Sequence, residues 1–114
     1  MKKIIINADD FGLTEKISDV IIAIFKKGNL SSTSLLANTP STRYAIELAK
    51  KNKKLAVGLH FNITEGQSIV GASSLTNSEG YFLDKLKINS RVYLNSINLE
   101  DLEQELSAQY QIII

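Results

Sequence analysis

The feature that most restricts the fold is an alternation of apolar runs with helix-periodic stretches across the first half of the chain. The first run, Ile4-Ile5-Ile6, ends in Asn7-Ala8-Asp9-Asp10-Phe11-Gly12. A β-branched apolar run closed by a turn signal predicts a buried strand. Thr14 to Lys27 then carries Ile17, Val20, Ile21, Ile24 and Phe25, the spacing of one apolar helix face, and closes on Lys26-Lys27-Gly28, two cations and a glycine suited to a helix end. A second strand is predicted over Thr33 to Ala37. Asn38-Thr39-Pro40 then gives a helix start, with Thr39 as N-cap and Pro40 at the first helical position. That helix, running to about Lys51, is expected to bury Tyr44, Ala45, Leu48 and Ala49, and a third strand follows from Leu55 to Phe61. Strand, helix, strand, helix, strand implies an α/β fold with a parallel sheet and right-handed crossovers.

In such a sheet ligands bind beyond the carboxyl ends of the strands, and the chain's chemistry collects there. The first strand stops on Asp9 and Asp10; the third, Val57-Gly58-Leu59-His60-Phe61-Asn62, stops on the only histidine. Parallel strands bring Asp9, Asp10 and His60 to one edge, where two carboxylates and an imidazole begin either a metal site or an acid/base site. Adjacent carboxylates at a buried strand end repel unless a cation or a shared proton lies between them. Asp before Phe-Gly is also ordinary turn chemistry. A lone histidine ending an apolar strand is more often a satisfied core residue, but beside an acidic pair ligation is favoured. Asn62 and Glu65 either support the site or begin the next loop, and Thr33, Ser34 and Asn38 read as packing and capping residues. Asp10-Phe11-Gly12 copies the metal-binding tripeptide of protein kinases, yet the glycine-rich loop, strand lysine and catalytic loop that precede it there have no room here. A response-regulator receiver also has an acidic pair after its first strand, but it needs an aspartate at the third strand's tip, where this chain has Gly58-Leu59-His60.

Order weakens after His60. From residue 62 to 98 there is no sustained period, only a hairpin signal at Asn77-Ser78-Glu79-Gly80 between Ser74-Leu75 and Tyr81-Phe82-Leu83, so this stretch reads as a long functional or poorly ordered connection. Asn98 then caps a helix, with Asp101 as its capping-box-like partner and Leu99, Leu102, Leu106 and Tyr110 as its apolar stripe. Ile112-Ile113-Ile114 looks like the opening of a fourth strand. The 114 residues allow one domain, and 22% charged residues with a net charge of +1 argue against nucleic acid or a membrane surface as principal partner. The absence of cysteine excludes disulfides and thiolate chemistry, and Met1-Lys2-Lys3 followed by three isoleucines is too short for a signal peptide or a membrane span, so a cytoplasmic location is expected.

Asn7-Ala8-Asp9-Asp10-Phe11-Gly12, Ser32-Thr33-Ser34-Leu35 with Asn38, and Gly58-Leu59-His60-Phe61-Asn62-Ile63-Thr64-Glu65-Gly66 together resemble the successive motifs of the YdjC-like family, the chitooligosaccharide deacetylases. The likeness continues through Ser74-Leu75 and Gly80-Tyr81-Phe82-Leu83 into the helix at Leu99, nearly the whole chain. The resemblance implies a distorted (β/α) barrel resembling a TIM barrel, of which residues 1–114 are the truncated N-terminal half, and a hydrolase that removes an N-acetyl group from a small amino-sugar oligosaccharide. It implies one divalent metal ion, Mg2+ or Zn2+, with Asp10 and His60 as ligands and Asp9 as general base. It also implies a third ligand from a histidine-rich motif on a fourth strand, which this chain does not reach. A half-barrel leaves an open sheet edge and uncovered helix faces. The expectation is therefore a homo-oligomer, and the competing reading is a non-catalytic half-barrel module that oligomerises or is completed by a partner chain.

Overall fold

A computed structural model describes residues 2–114. The chain forms two compact units, one reaching to His60 and including Ile113, the other running from Phe61 to Ile112 and including Ile114.

The first unit contains β1 (Asn7–Phe11), α1 (Glu15–Lys26), β2 (Ser32–Leu35), α2 (Thr42–Lys51) and β3 (Ala56–Leu59). The three strands form one sheet in the order β1-β2-β3, parallel throughout. The alternation expected from sequence is therefore present as part of a β/α fold. Phe11, Ile21, Ile22, Leu30, Leu35, Ala45 and Leu55 make its core.

Three local expectations are corrected. Ile4, Ile5 and Ile6 precede β1 instead of forming it, and all three are exposed. Their segment lies before the paired stretch that begins at Asn7 and Ser32; of the three, Ile6 reaches the neighbouring chain, its carbonyl accepting from the Ser31 and Ser32 N–H groups and its N–H donating to Ser31 Oγ at 3.4 Å. The buried face of α1 is turned by one residue, to Ser18, Ile21 and Ile22, leaving Val20 and Ile24 exposed. Ser18 causes this shift: its hydroxyl accepts from the Gly12 N–H at 3.0 Å and donates to the Thr14 carbonyl at 2.9 Å, which ties that position to the end of β1. Finally, α2 starts at Thr42, with Ser41 at the N-cap and Pro40 in the preceding turn. The Thr39 hydroxyl donates to the Gly12 carbonyl and accepts from the Ser41 N–H, so it fastens the turn where an N-cap was expected. Ala45 is fully buried on α2, and Leu48 and Ala49 pack partly buried against the core.

The second unit contains α3 (Lys85–Tyr93) and, apart from its last residue, α4 (Leu99–Ile113). The stretch 62–98, expected as a long connection without helix, thus holds α3. That helix lacks a readable period because Leu86, Val92 and Tyr93 are exposed and only Ile88 is buried. The hairpin signal is realised: Gly80 N–H donates to the Asn77 carbonyl at 3.1 Å, and Thr76 pairs antiparallel with Phe82. Asn98 caps α4 by accepting from the Glu100 N–H at 2.9 Å, whereas Asp101 accepts from the Ser74 N–H at 2.8 Å and plays no capping part. Leu99, Leu106 and Tyr110, expected on the buried stripe, are exposed, and Glu105 and Gln109 are fully buried instead. The isoleucines expected to open a fourth strand continue α4 to Ile113.

Candidate functional site

The geometry at the tip of β1 follows from an irregularity in its pairing. Ala8 pairs with Thr33 and Phe11 with Leu35, so Asp9 and Asp10 together oppose Ser34 alone. Two residues facing one is a bulge, a device that re-aims side chains at a strand end. Asp10 takes up the extra length with φ +64, a left-handed conformation that aspartate tolerates better than most residues. The chain then turns at Gly12, whose φ is +91 and whose missing Cβ would stand 3.2 Å from the Leu36 carbonyl oxygen, so any other residue is strained there.

Across the sheet, the His60 N–H donates to the Leu35 carbonyl at 2.8 Å, which carries the β2–β3 pairing just past the assigned strand. That holds the imidazole with Nδ1 3.4 Å from Asp10 Oδ1 and 3.3 Å from the Asp10 N–H, although the two residues are fifty positions apart. Both side chains are partly open to solvent. Nδ1 can accept from the N–H only when unprotonated and donate to Oδ1 only when protonated. With the lone pair free, a carboxylate oxygen and an imidazole nitrogen face each other, and a cation resolves their repulsion as a proton does.

Asp9 is oriented separately. Its Oδ1 accepts from Asn7 Nδ2 at 2.8 Å; the same Nδ2 donates to Ser34 Oγ at 3.0 Å, and Asn7 Oδ1 accepts from Ser32 Oγ at 2.7 Å. Thr33, buried between these serines, donates to the Ala8 carbonyl at 2.6 Å. The sequence reading passed over Asn7 and took Ser34 as packing. The signal was present in the polar alternation Ser32 and Ser34 along β2, opposite an asparagine that starts β1. An open groove of ≈ 280 Å³ adjoins the pair, lined by Asp9, Asp10, Lys16, Ile17, Val20 and Ile21. Asn62 is engaged in its own loop, its Oδ1 accepting from the Thr64 and Glu65 N–H groups at 3.1 Å and its Nδ2 donating to the Glu65 carbonyl.

The donor set fits a divalent ion in part. Two atoms each about 2.1 Å from one tetrahedral ion lie roughly 3.4 Å apart, the separation found between Asp10 Oδ1 and His60 Nδ1. Among the described residues, however, no group of three His, Cys, Asp or Glu side chains is placed to hold a metal. Catalytic sites generally use three protein ligands.

The chain is 40% identical over 108 residues to carbohydrate deacetylase 2 of Listeria innocua, covering 95% of this chain and 42% of that protein. It is 38% identical over 109 residues to the chitooligosaccharide deacetylase of Yersinia enterocolitica, covering 96% and 42%, and 36% identical over 111 residues to the human carbohydrate deacetylase, covering 94% and 34%. The crystal structure of a proposed cellobiose-phosphate cleavage protein from Enterococcus faecalis V583 superposes with a TM-score of 0.84 at 33% identity, over 98% of this chain and 43% of that one. The chain therefore spans less than half the length of each of these relatives. Among the described residues no helix is long and apolar enough to cross a membrane. The model of the YdjC-like proteins matches residues 3–114, almost from end to end, and the chain belongs to that family.

Proposed function

We propose that this chain carries part of the active site of a metal-dependent carbohydrate deacetylase, which cleaves the N-acetyl amide of a small amino-sugar oligosaccharide to give a free amine and acetate. The observation that supports it best is the approach of Asp10 Oδ1 to His60 Nδ1 at 3.4 Å at the carboxyl ends of parallel strands. In this reading Asp10 and His60 hold one divalent ion, Mg2+ or Zn2+. Such an ion lowers the pKa of water and polarises an amide carbonyl. Asp9 takes the proton of the attacking water at its free carboxylate oxygen, and Asn7, donating to Oδ1, fixes the carboxylate's orientation. The relatives named as carbohydrate and chitooligosaccharide deacetylases support the substrate class. A cytoplasmic enzyme acting on soluble sugars, without nucleic-acid or membrane partners, completes the reading.

A second reading is a non-catalytic module that self-associates or is completed by another chain. The large exposed apolar side chains Ile4, Ile5, Leu86, Tyr93 and Leu99 favour it, as does the two-member donor set. Acetate release from N-acetylated chitooligosaccharides in the presence of zinc or magnesium tests the enzyme reading. Release that falls at least about a hundredfold in Asp9→Ala is expected. No release with either metal at any protein concentration contradicts the reading for this chain.

A further inference from the structure

In the first unit one face of the sheet packs into the core through Ala8, Leu35 and Val57, and the alternate residues Asn7, Asp9, Ser32 and Ser34 carry polar chemistry. Their hydrogen bonds converge on a single amide. Asn7 Nδ2 donates one hydrogen to Asp9 Oδ1 at 2.8 Å and the other to Ser34 Oγ at 3.0 Å, while Asn7 Oδ1 accepts from Ser32 Oγ at 2.7 Å. Chemistry fixes the sense of this relay: a carboxylate only accepts, so the NH2 end of the amide faces Asp9 and its oxygen faces the Ser32 hydroxyl. Ser34 then has to accept, because it meets an N–H. On the other side Ser34 pairs with Gly58, which has no side chain to engage that hydroxyl.

The two N–H bonds of an amide lie in one plane at a fixed angle, so a serine that captures one of them decides where the other points. We infer that Ser34 is a positioning residue for Asp9, acting through Asn7, with Ser32 holding the opposite end of the amide; the inference rests on the reading of Asp9 as general base. Asn7 and Asp9 are both exposed, so water competes for each bond, and one contact alone leaves the carboxylate free to change rotamer. Fastened at both ends to β2, the amide occupies Asp9 Oδ1 and leaves Oδ2 as the oxygen that takes a proton. The bulge allows the division of labour: Asp9 stays with Asn7, and Asp10 meets His60.

The test is the side-chain rotamer of Asp9, read by NMR from the three-bond couplings of its Cγ in isotopically labelled chain without metal or substrate. The native chain is compared with Ser34→Ala, Ser34→Thr, Asn7→Ala and Ser31→Ala, the last a control whose hydroxyl meets the Ile6 backbone. Expected is one Asp9 rotamer favoured about tenfold or more in the native chain and in Ser31→Ala. That preference should fall at least about threefold in Ser34→Ala and Asn7→Ala and return in Ser34→Thr, which keeps the hydroxyl. A merely structural role of Ser34 would lower stability and leave the preference unchanged. If Ser34→Ala does not fold, Ser32→Ala, which frees the oxygen end of the same amide, is read the same way. An undiminished preference in the serine variant overturns the inference alone, as does an equal loss in Ser31→Ala. Acetate release that is unchanged in Asp9→Ala overturns the reading of Asp9 as base and the inference with it.

Discussion

In the unit that ends at His60, the deepest side chains include Phe11, Leu35 and Ala45, packed where one face of a parallel sheet meets two helices. In the unit that begins at Phe61 they are Leu75, Glu105 and Gln109, and the apolar cluster of Ala72, Leu75, Phe82 and Ile88 is small. A carboxylate and an amide there take over work that apolar contact performs in the first unit, by satisfying loop backbone that has no sheet to join. Burial of this kind depends on geometry: fully hydrogen-bonded it fixes one arrangement of the loop, and partly bonded it is costly. The comparison teaches that one short chain uses two means of order, and that only the apolar one leaves a period in the sequence.

Volume-conserving changes separate the two most sharply. Replacing Glu105 by Met strands the Ser68 hydroxyl and the Ile69 and Val70 N–H groups, and should cost about 3 kcal/mol in urea unfolding. The similar exchange Leu35→Met, in the apolar core, should cost less than about 1.5 kcal/mol. Equal costs would erase the distinction between the units. An intermediate effect is expected from Thr14→Ala, which removes the oxygen accepting from the Ile17 N–H at the start of α1 at 3.1 Å, about 1 kcal/mol by the same measurement.

The smallest effect sharpens the polar half of the comparison through pH. The Asp101 carboxyl is held below its ordinary value, chiefly by accepting the Ser74 N–H and secondarily by the Ser74 side chain. A carboxylate lowered on folding adds stability above the unfolded value and loses it as pH falls through the folded one. Melting temperatures of the native chain and Asp101→Asn should therefore differ at pH 7 and converge below about pH 4. A gap that persists at pH 2 would assign the effect to something other than the charged carboxyl.

The same contrast explains what could be read from the residues. The strand–helix alternation to His60 and the turn at Asn77 to Gly80 are local signals that the tertiary structure reinforces, and the meeting of Asp10 with His60 follows from the parallel pairing of the strands they end. The bulge that aims Asp9 and Asp10 is invisible in composition, because it depends on how many β1 residues face Ser34. The face of α1 was missed by one residue because Ser18, a polar side chain, is buried by two backbone partners. For α4 the apolar stripe misled outright: Leu99, Leu106 and Tyr110 are exposed, while Glu105 and Gln109, residues that normally mark a solvated face, are buried. Exposed leucines and buried glutamate reverse the rule on which periodicity rests, and pairing with loop backbone is the reason.

The central claim, that Asp10 and His60 form part of a divalent-metal site, is tested most directly by calorimetric titration of the chain with zinc and with magnesium, beside Asp10→Ala and His60→Ala. Roughly stoichiometric binding that disappears in both variants is the expected result. Binding that survives both substitutions, or no binding of either metal to the native chain, would contradict the claim and leave the 3.4 Å approach as an ordinary carboxylate–imidazole contact.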